Sequence, residues 1–222
     1  MGPQSFILSN IQRLITPSGR TKSGFLSDQA QLNGALFVAV TETWLTPQVF
    51  DSEVSHNFPG YSLFRSDRES RQGGGVALYV REDLTGDVLC SYDNGVCGLL
   101  VVMVHQLNTA VAVLYRPPDT RFREFSDILE KLDLCLTSLP SPTPTVAVMG
   151  DLNFPRHCLV WSRCGQGWRK LRLLIRNLAK PTFAFVWREM DNRYQTRLTL
   201  SALGGAGPSI TWGGGQFDPH FL

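Results

Sequence analysis

Short apolar runs bounded by glycine, proline or asparagine recur along the chain. Phe6–Ser9 ends at Asn10, and Ala35–Val40 (ALFVAV) leads directly into Thr41-Glu42-Thr43-Trp44-Leu45. Tyr61–Phe64, Val76–Val80, Leu99–His105 and Thr109–Tyr115 follow, the last two separated by Gln106-Leu107-Asn108. Brief runs rich in β-branched residues predict buried strands, and the last two predict a hairpin. Thr145–Met149, framed by Pro142, Pro144 and Pro155, predicts a further core strand that stops at Gly150 and delivers Asp151 and Asn153 just beyond its end. One stretch has a clear helical period. Phe122, Phe125, Ile128, Leu129, Leu132 and Leu136 fall on one face at steps of three and four, with Asp119 placed to cap the helix and Leu139–Pro144 to end it. A shorter helix is expected over Phe25–Leu32, closed by Asn33-Gly34. Thr16–Ser23 and Thr46–Gly60 read as loops and Arg65–Gln72 as a charged connection. Gly73-Gly74-Gly75 reads as a flexible approach to the strand at Val76, because no phosphate-loop spacing surrounds it and a strand follows rather than a helix. Many short strands with few helices predict an α/β sandwich.

Length and composition narrow the class. At 222 residues the chain fits one domain with an ample core. The longest apolar runs, Ala35–Val40 and Leu99–Val104, are far short of the ~20 residues that a membrane helix needs, so no membrane partner is expected. MGPQSFILSN has neither a basic n-region nor an apolar h-region, so no signal peptide is expected. Cys90, Cys97, Cys135, Cys158 and Cys164 form an odd set without C-x-x-C spacing, which points to free thiols, an intracellular location and no disulfide-linked partner. His157 with Cys158 and Cys164 lacks a fourth ligand for a zinc site.

Charge changes character after Pro155. Residues 1–155 carry 11 basic and 16 acidic side chains, a net −5, whereas residues 156–222 carry 10 and 3, a net +7. Trp161, Trp168, Trp187 and Trp212 also fall in the second part, and Arg169–Arg176 (RKLRLLIR) has the look of a basic amphipathic helix.

Two of the buried runs share a feature: each releases a carboxylate at its C-terminal end, Glu42 after Ala35–Val40 and Asp151 after Thr145–Met149. Together with Asn10, Tyr115 and Asn153 they form a coherent set. A carboxylate and an amide oxygen suit a magnesium ion that keeps most of its waters. A second carboxylate can orient an attacking water, and a tyrosine hydroxyl and an amide can donate to phosphate oxygens as charge develops. Singly, each has an ordinary explanation: Asp-Leu-Asn as a turn, Glu42 as a solvated strand end, Tyr115 as a packed ring, Asn10 as a turn former.

The segments Ser9–Gln12 (SNIQ), Thr41–Leu45 (TETWL), Gly73–Val80 (GGGVALYV), Leu114–Pro118 (LYRPP) and Gly150–Pro155 (GDLNFP) taken in order resemble the endonuclease/exonuclease/phosphatase family. Within it, the likeness is to the apurinic-type endonuclease domain of LINE-type non-LTR retrotransposons. The resemblance implies a DNase I-like four-layer α/β sandwich over residues 1–160, with DNA as substrate and Mg²⁺ or Mn²⁺ as cofactor. It implies that Glu42 binds the metal with help from Asn10, that Asp151 aligns the nucleophilic water, and that Asn153 and Tyr115 stabilise the pentavalent phosphate. A functioning endonuclease of this kind would act in the nucleus.

The family pattern closes with an aspartate in an L-D-L-type strand and a Ser-Asp-His. Residues 156–222 contain neither: Leu132-Asp133-Leu134 lies upstream in the predicted helix, and Asp218 and His220 are separated by Pro219 near the end. The expectation is a defective metal-dependent DNA phosphodiesterase whose sandwich is incomplete at the C-terminus, with residues 161–222 a divergent basic, Trp- and Gly-containing tail. The alternative is a non-catalytic remnant that at most binds nucleic acid through that tail.

Overall fold

Continuous burial on both faces explains why the central strands read as unbroken apolar runs. The structure, a computed structural model, describes residues 5–69, 72–139, 145–153, 183–190 and 196–202. The first sheet holds β1 (Ser5–Asn10), β2 (Ala35–Thr41), β3 (Tyr61–Ser66) and β4 (Val76–Arg81) in the order β1-β2-β4-β3. The second holds β5 (Gly86–Asp93), β6 (Gly98–Val104), β7 (Thr109–Tyr115), β8 (Thr145–Asp151), β9 (Phe183–Met190) and β10 (Thr196–Ala202) in the order β10-β9-β8-β7-β6-β5. β1 and β2 run parallel, as do β7, β8 and β9; the other pairs are antiparallel.

Alternation along the strands divides the core into three parts. Phe37, Ala39, Val76, Leu78, Leu100, Val102, Val111, Val113 and Met149 point between the sheets. Their neighbours Val38, Val40, Ala77 and Tyr79 point outward onto Leu26 and Ala30 of α1 (Ser23–Leu32) and Val54 of α2 (Asp51–Ser55). On the far side, Leu99, Val101, Ala112 and Val148 meet Phe125, Ile128, Leu129, Leu132 and Leu136 of α3 (Phe122–Thr137). Helices, sheet, sheet and helix therefore stack as the four-layer α/β sandwich that the resemblance implied.

The sequence expectations hold for most elements and fail at identifiable places. Asp119 does not cap α3; the helix starts after Arg121, whose N–H donates to the Glu124 carboxylate at 3.0 Å. α2 lies inside the stretch expected to be loop, Thr46–Gly60. β5 is absent from the sequence expectations: it is an edge strand, largely exposed, with a register shift between Val88 and Cys90 that destroys alternation. β8 does not stop at Gly150 but runs through Asp151. The expected hairpin is present, its turn a 3₁₀ segment at His105–Leu107 followed by Asn108 at φ 44°. β9 and β10, within the stretch read as divergent tail, extend the second sheet beside β8. The Arg169–Arg176 helix, the His157, Cys158 and Cys164 group, Asp218, His220 and Phe154-Pro155 lie outside the described residues.

Candidate functional site

Four strand ends meet at one rim of the inter-sheet space. Asn10 closes β1 and pairs in register with Thr41 at the end of β2; Tyr115 closes β7 and pairs with Asp151 at the end of β8. Asn10, Tyr115 and Asp151 each continue the alternation of residues that fill the space between the sheets, after Leu8, Val113 and Met149 respectively. Three polar side chains are thereby carried by strand parity alone to the mouth of an apolar interior. The C-terminal ends of parallel strands are where open α/β sheets gather their ligands.

Glu42 reaches the same point by a different route. Thr41 already occupies the inward position and is fully buried, so a continued strand would turn Glu42 outward. Instead Glu42 adopts φ 55° and Trp44 the same value, left-handed conformations uncommon outside glycine. The backbone is held there on both sides. Arg13 and Leu14 donate to the carbonyls of Glu42 and Thr43 at 2.8 Å each, and Trp44 N–H donates to Gly74 O at 2.9 Å.

The glycine triplet is what receives this loop, a correction to its reading as a flexible approach. Gly73, Gly74 and Gly75 have φ of 94°, 74° and 77°. A Cβ on Gly75 would stand 2.5 Å from Thr43 Oγ1, and one on Gly74 would stand 2.5 Å from Arg68 Nη2. The segment is a mould fitted to Thr43 on one side and to Arg68 on the other.

One amide links the two sheets. Asn10 Nδ2 donates to Glu42 Oε1 at 2.9 Å and to Asp151 Oδ2 at 2.7 Å, while Asn10 Oδ1 accepts from Gln12 N–H at 3.2 Å. Trp44 Nε1 donates to Glu42 Oε2 at 3.2 Å, and the Tyr115 hydroxyl lies within the field of the Glu42 carboxylate. Arg13 lies over the Trp44 ring, 5.0 Å from its centroid. Asp151 is 1% exposed. Burial pushes the Tyr115 phenol well above its ordinary value, the Glu42 charge adds to that, and Arg68 pulls the other way. The hydroxyl stays protonated and available as a donor.

Asn153 stands beside this cluster. Its Nδ2 donates to Arg116 O at 2.9 Å, and its φ of 41° turns the chain out of β8. Arg116 is the residue that sequence reasoning passed over. It is 7% exposed; Nη1 donates to Leu152 O at 3.1 Å and Asn153 O at 2.8 Å, and Nη2 to Thr120 O at 2.7 Å. The guanidinium thus ties the Asp-Leu-Asn loop to the Tyr-Arg-Pro-Pro turn. The only sequence signal for this was its place between Tyr115 and Pro117.

The donor set fits a hard divalent cation. Two carboxylates converge on one amide, and Glu42 is held by neutral donors. Among the described residues no third His, Cys, Asp or Glu joins them into a larger ligand group. One or two carboxylates with water and phosphate oxygens completing the shell is the arrangement magnesium takes, whereas zinc wants four protein or nearly four protein ligands. Glu42 and Asp151 would hold such an ion. As oriented, the Asn10 amide presents its N–H groups to the carboxylates and its oxygen to Gln12.

No family model and no curated protein matches the chain. Among solved structures it is similar to an AP endonuclease from Archaeoglobus fulgidus, with 17% identity over 66% of this chain and 56% of that one and a TM-score of 0.45. It is similar also to the endonuclease domain of TRAS1, a telomere-specific non-LTR retrotransposon, with 17% identity, 78% and 72% coverage and a TM-score of 0.48. A third is ANGEL2, a 2′,3′-cyclic phosphatase, with 12% identity, 73% and 56% coverage and a TM-score of 0.48. The chain spans 56% of the length of the archaeal enzyme. Among the described residues Cys90, Cys97 and Cys135 are free thiols, and no helix is long and apolar enough to cross a membrane.

Proposed function

We propose that this rim is the cation- and phosphate-binding half of a divalent-metal DNA phosphodiesterase, of the kind carried by non-LTR retrotransposons, and that the proton-accepting half is missing. The observation that carries the proposal is the Asn10 amide donating to both Glu42 and Asp151, one carboxylate from each sheet. Like charges are drawn together at a rim only at a cost, which a bound cation would offset. When bound, the ion, Mg²⁺ or Mn²⁺, supplies neutralisation of phosphate charge. Glu42 and Asp151 would hold it, and Asn10 keeps both carboxylates aimed. Asp151, besides helping to hold the ion, would accept a hydrogen bond from the attacking water and align it with the scissile bond. Tyr115, kept protonated, donates to a non-bridging phosphate oxygen, and Asn153 supports the same oxygens from the adjoining loop. Residues 156–222 carry no L-D-L aspartate and no Ser-Asp-His to take the proton. Loss of a positioned base lowers the rate by about 10²- to 10⁴-fold.

The test is nicking of supercoiled plasmid in Mg²⁺ by the purified chain beside Glu42→Ala. No nicking above that control is expected; nicking abolished by Glu42→Ala or Asp151→Ala would show a complete site and overturn the defective half of the proposal. The net +7 of residues 156–222, with four tryptophans, favours a second reading, a remnant that only binds nucleic acid. Salt-dependent plasmid retardation that disappears on deleting residues 161–222 would support it.

A further inference from the structure

Arg68 is a cation buried to 5% exposure beside the candidate site, with no part in the chemistry just described. We propose that it is a positioning residue, which locks the two sheets together at the rim and sets Tyr115 against Glu42; the proposal rests on the reading of that rim as a cation site.

Three contacts carry it. The guanidinium lies over the Tyr115 ring, 5.9 Å from its centroid. Its Nε approaches Asp93 Oδ2, at the end of β5, at 3.5 Å, and its Nη2 donates to the Val96 carbonyl in the turn that joins β5 to β6. Its third side is flush against Gly74, where a Cβ would stand 2.7 Å from Nε. Gly74 in turn accepts the Trp44 N–H, and Trp44 donates to Glu42. One planar group therefore touches the mould that shapes the Glu42 loop, the turn of the second sheet, and the Tyr115 ring, whose hydroxyl faces the Glu42 charge. Arg68 follows β3 of the first sheet, two residues after its last position, Ser66, and its side chain reaches the end of β5 and the turn after it in the second sheet. At that burial it meets no substrate and acts through Tyr115 and Glu42. A lysine could supply the charge but not the fork that engages Asp93 and Val96 while stacking on a ring.

The experiment compares wild type, Glu42→Gln, Arg68→Met and Arg68→Lys in the full chain. Mn²⁺ affinity is measured together with the Cζ resonances of ¹³C-labelled tyrosine, Tyr115 being assigned by Tyr115→Phe. Glu42→Gln is expected to abolish binding; unchanged affinity there would sink the cation-site reading itself. Arg68→Met is expected to move the Tyr115 line while leaving Tyr61 and Tyr79, in the outer layer of the first sheet, in place. It should also weaken Mn²⁺ by about tenfold, as loss of groups that orient metal ligands commonly does, with Arg68→Lys restoring only part. If Glu42→Gln abolishes binding while Arg68→Met leaves both the Tyr115 line and the affinity unchanged, Arg68 has no positioning role. Should Arg68→Met fail to fold, Asp93→Asn, which loosens the guanidinium without removing it, must shift the same tyrosine line. A static line would overturn the proposal.

Discussion

The two sheets deliver their carboxylates to the same point by opposite means. In the second sheet, Asp151 is the last residue of a regular strand, facing inward by parity, and its loop is secured afterwards by Arg116. In the first, the inward position is already taken by Thr41, so Glu42 is brought back by a left-handed backbone pressed into three glycines. One side is regular strand with a clamp behind it, and the other is strained loop with a mould around it. A rigid sheet can present a side chain without strain only where its alternation permits; elsewhere the geometry must be supplied by neighbours that tolerate it.

That contrast can be broken from either side. The largest effect is expected at the clamp. Arg116→Met leaves the Leu152, Asn153 and Thr120 carbonyls without their charged donor and should destabilise the fold by about 3 kcal/mol or more, read from urea unfolding. Next comes the mould: Gly75→Ala forces a side chain into left-handed backbone 2.5 Å from Thr43 Oγ1 and should cost roughly 2 kcal/mol in the same measurement. Gly73→Ala meets nothing nearer than Trp44 Nε1 at 3.8 Å, so only the backbone penalty of about 1 kcal/mol should remain. Equal losses at Gly73 and Gly75 would mean that the triplet is merely flexible. The smallest effect has the opposite sign. Glu42→Gln relieves repulsion with Asp151 and should leave stability unchanged or raise it by about 0.5 kcal/mol while removing cation binding. A clear loss of stability would instead make Glu42 a structural residue.

What the sequence could and could not disclose follows from the same physics. The strands buried on both faces, β2, β4, β6, β7 and β8, and the periodic helix α3 were legible because burial imposes a pattern on consecutive residues. β5 and α2 were not: one is an exposed, bulged edge and the other too short to show a period. Glu42 and Asp151 were legible as carboxylates released at strand ends, and Asn10 and Tyr115 through the motifs around them. Arg116 and Arg68 were not, since an arginine is ordinarily a surface residue and their burial is created by partners far along the chain, Leu152 and Asn153 for one and Asp93, Val96 and Tyr115 for the other. The glycine triplet misled for a similar reason. Its neighbours in sequence suggest freedom, and its neighbours in space remove it.

The proposed cation site takes Glu42 and Asp151, one from each sheet, as its ligands. Mn²⁺ titration followed by electron paramagnetic resonance tests this most directly, on wild type, Glu42→Gln and Asp151→Asn. One tight ion in the wild type, lost to a similar degree in both variants, is the predicted result. Unaltered Mn²⁺ binding in either variant would contradict it.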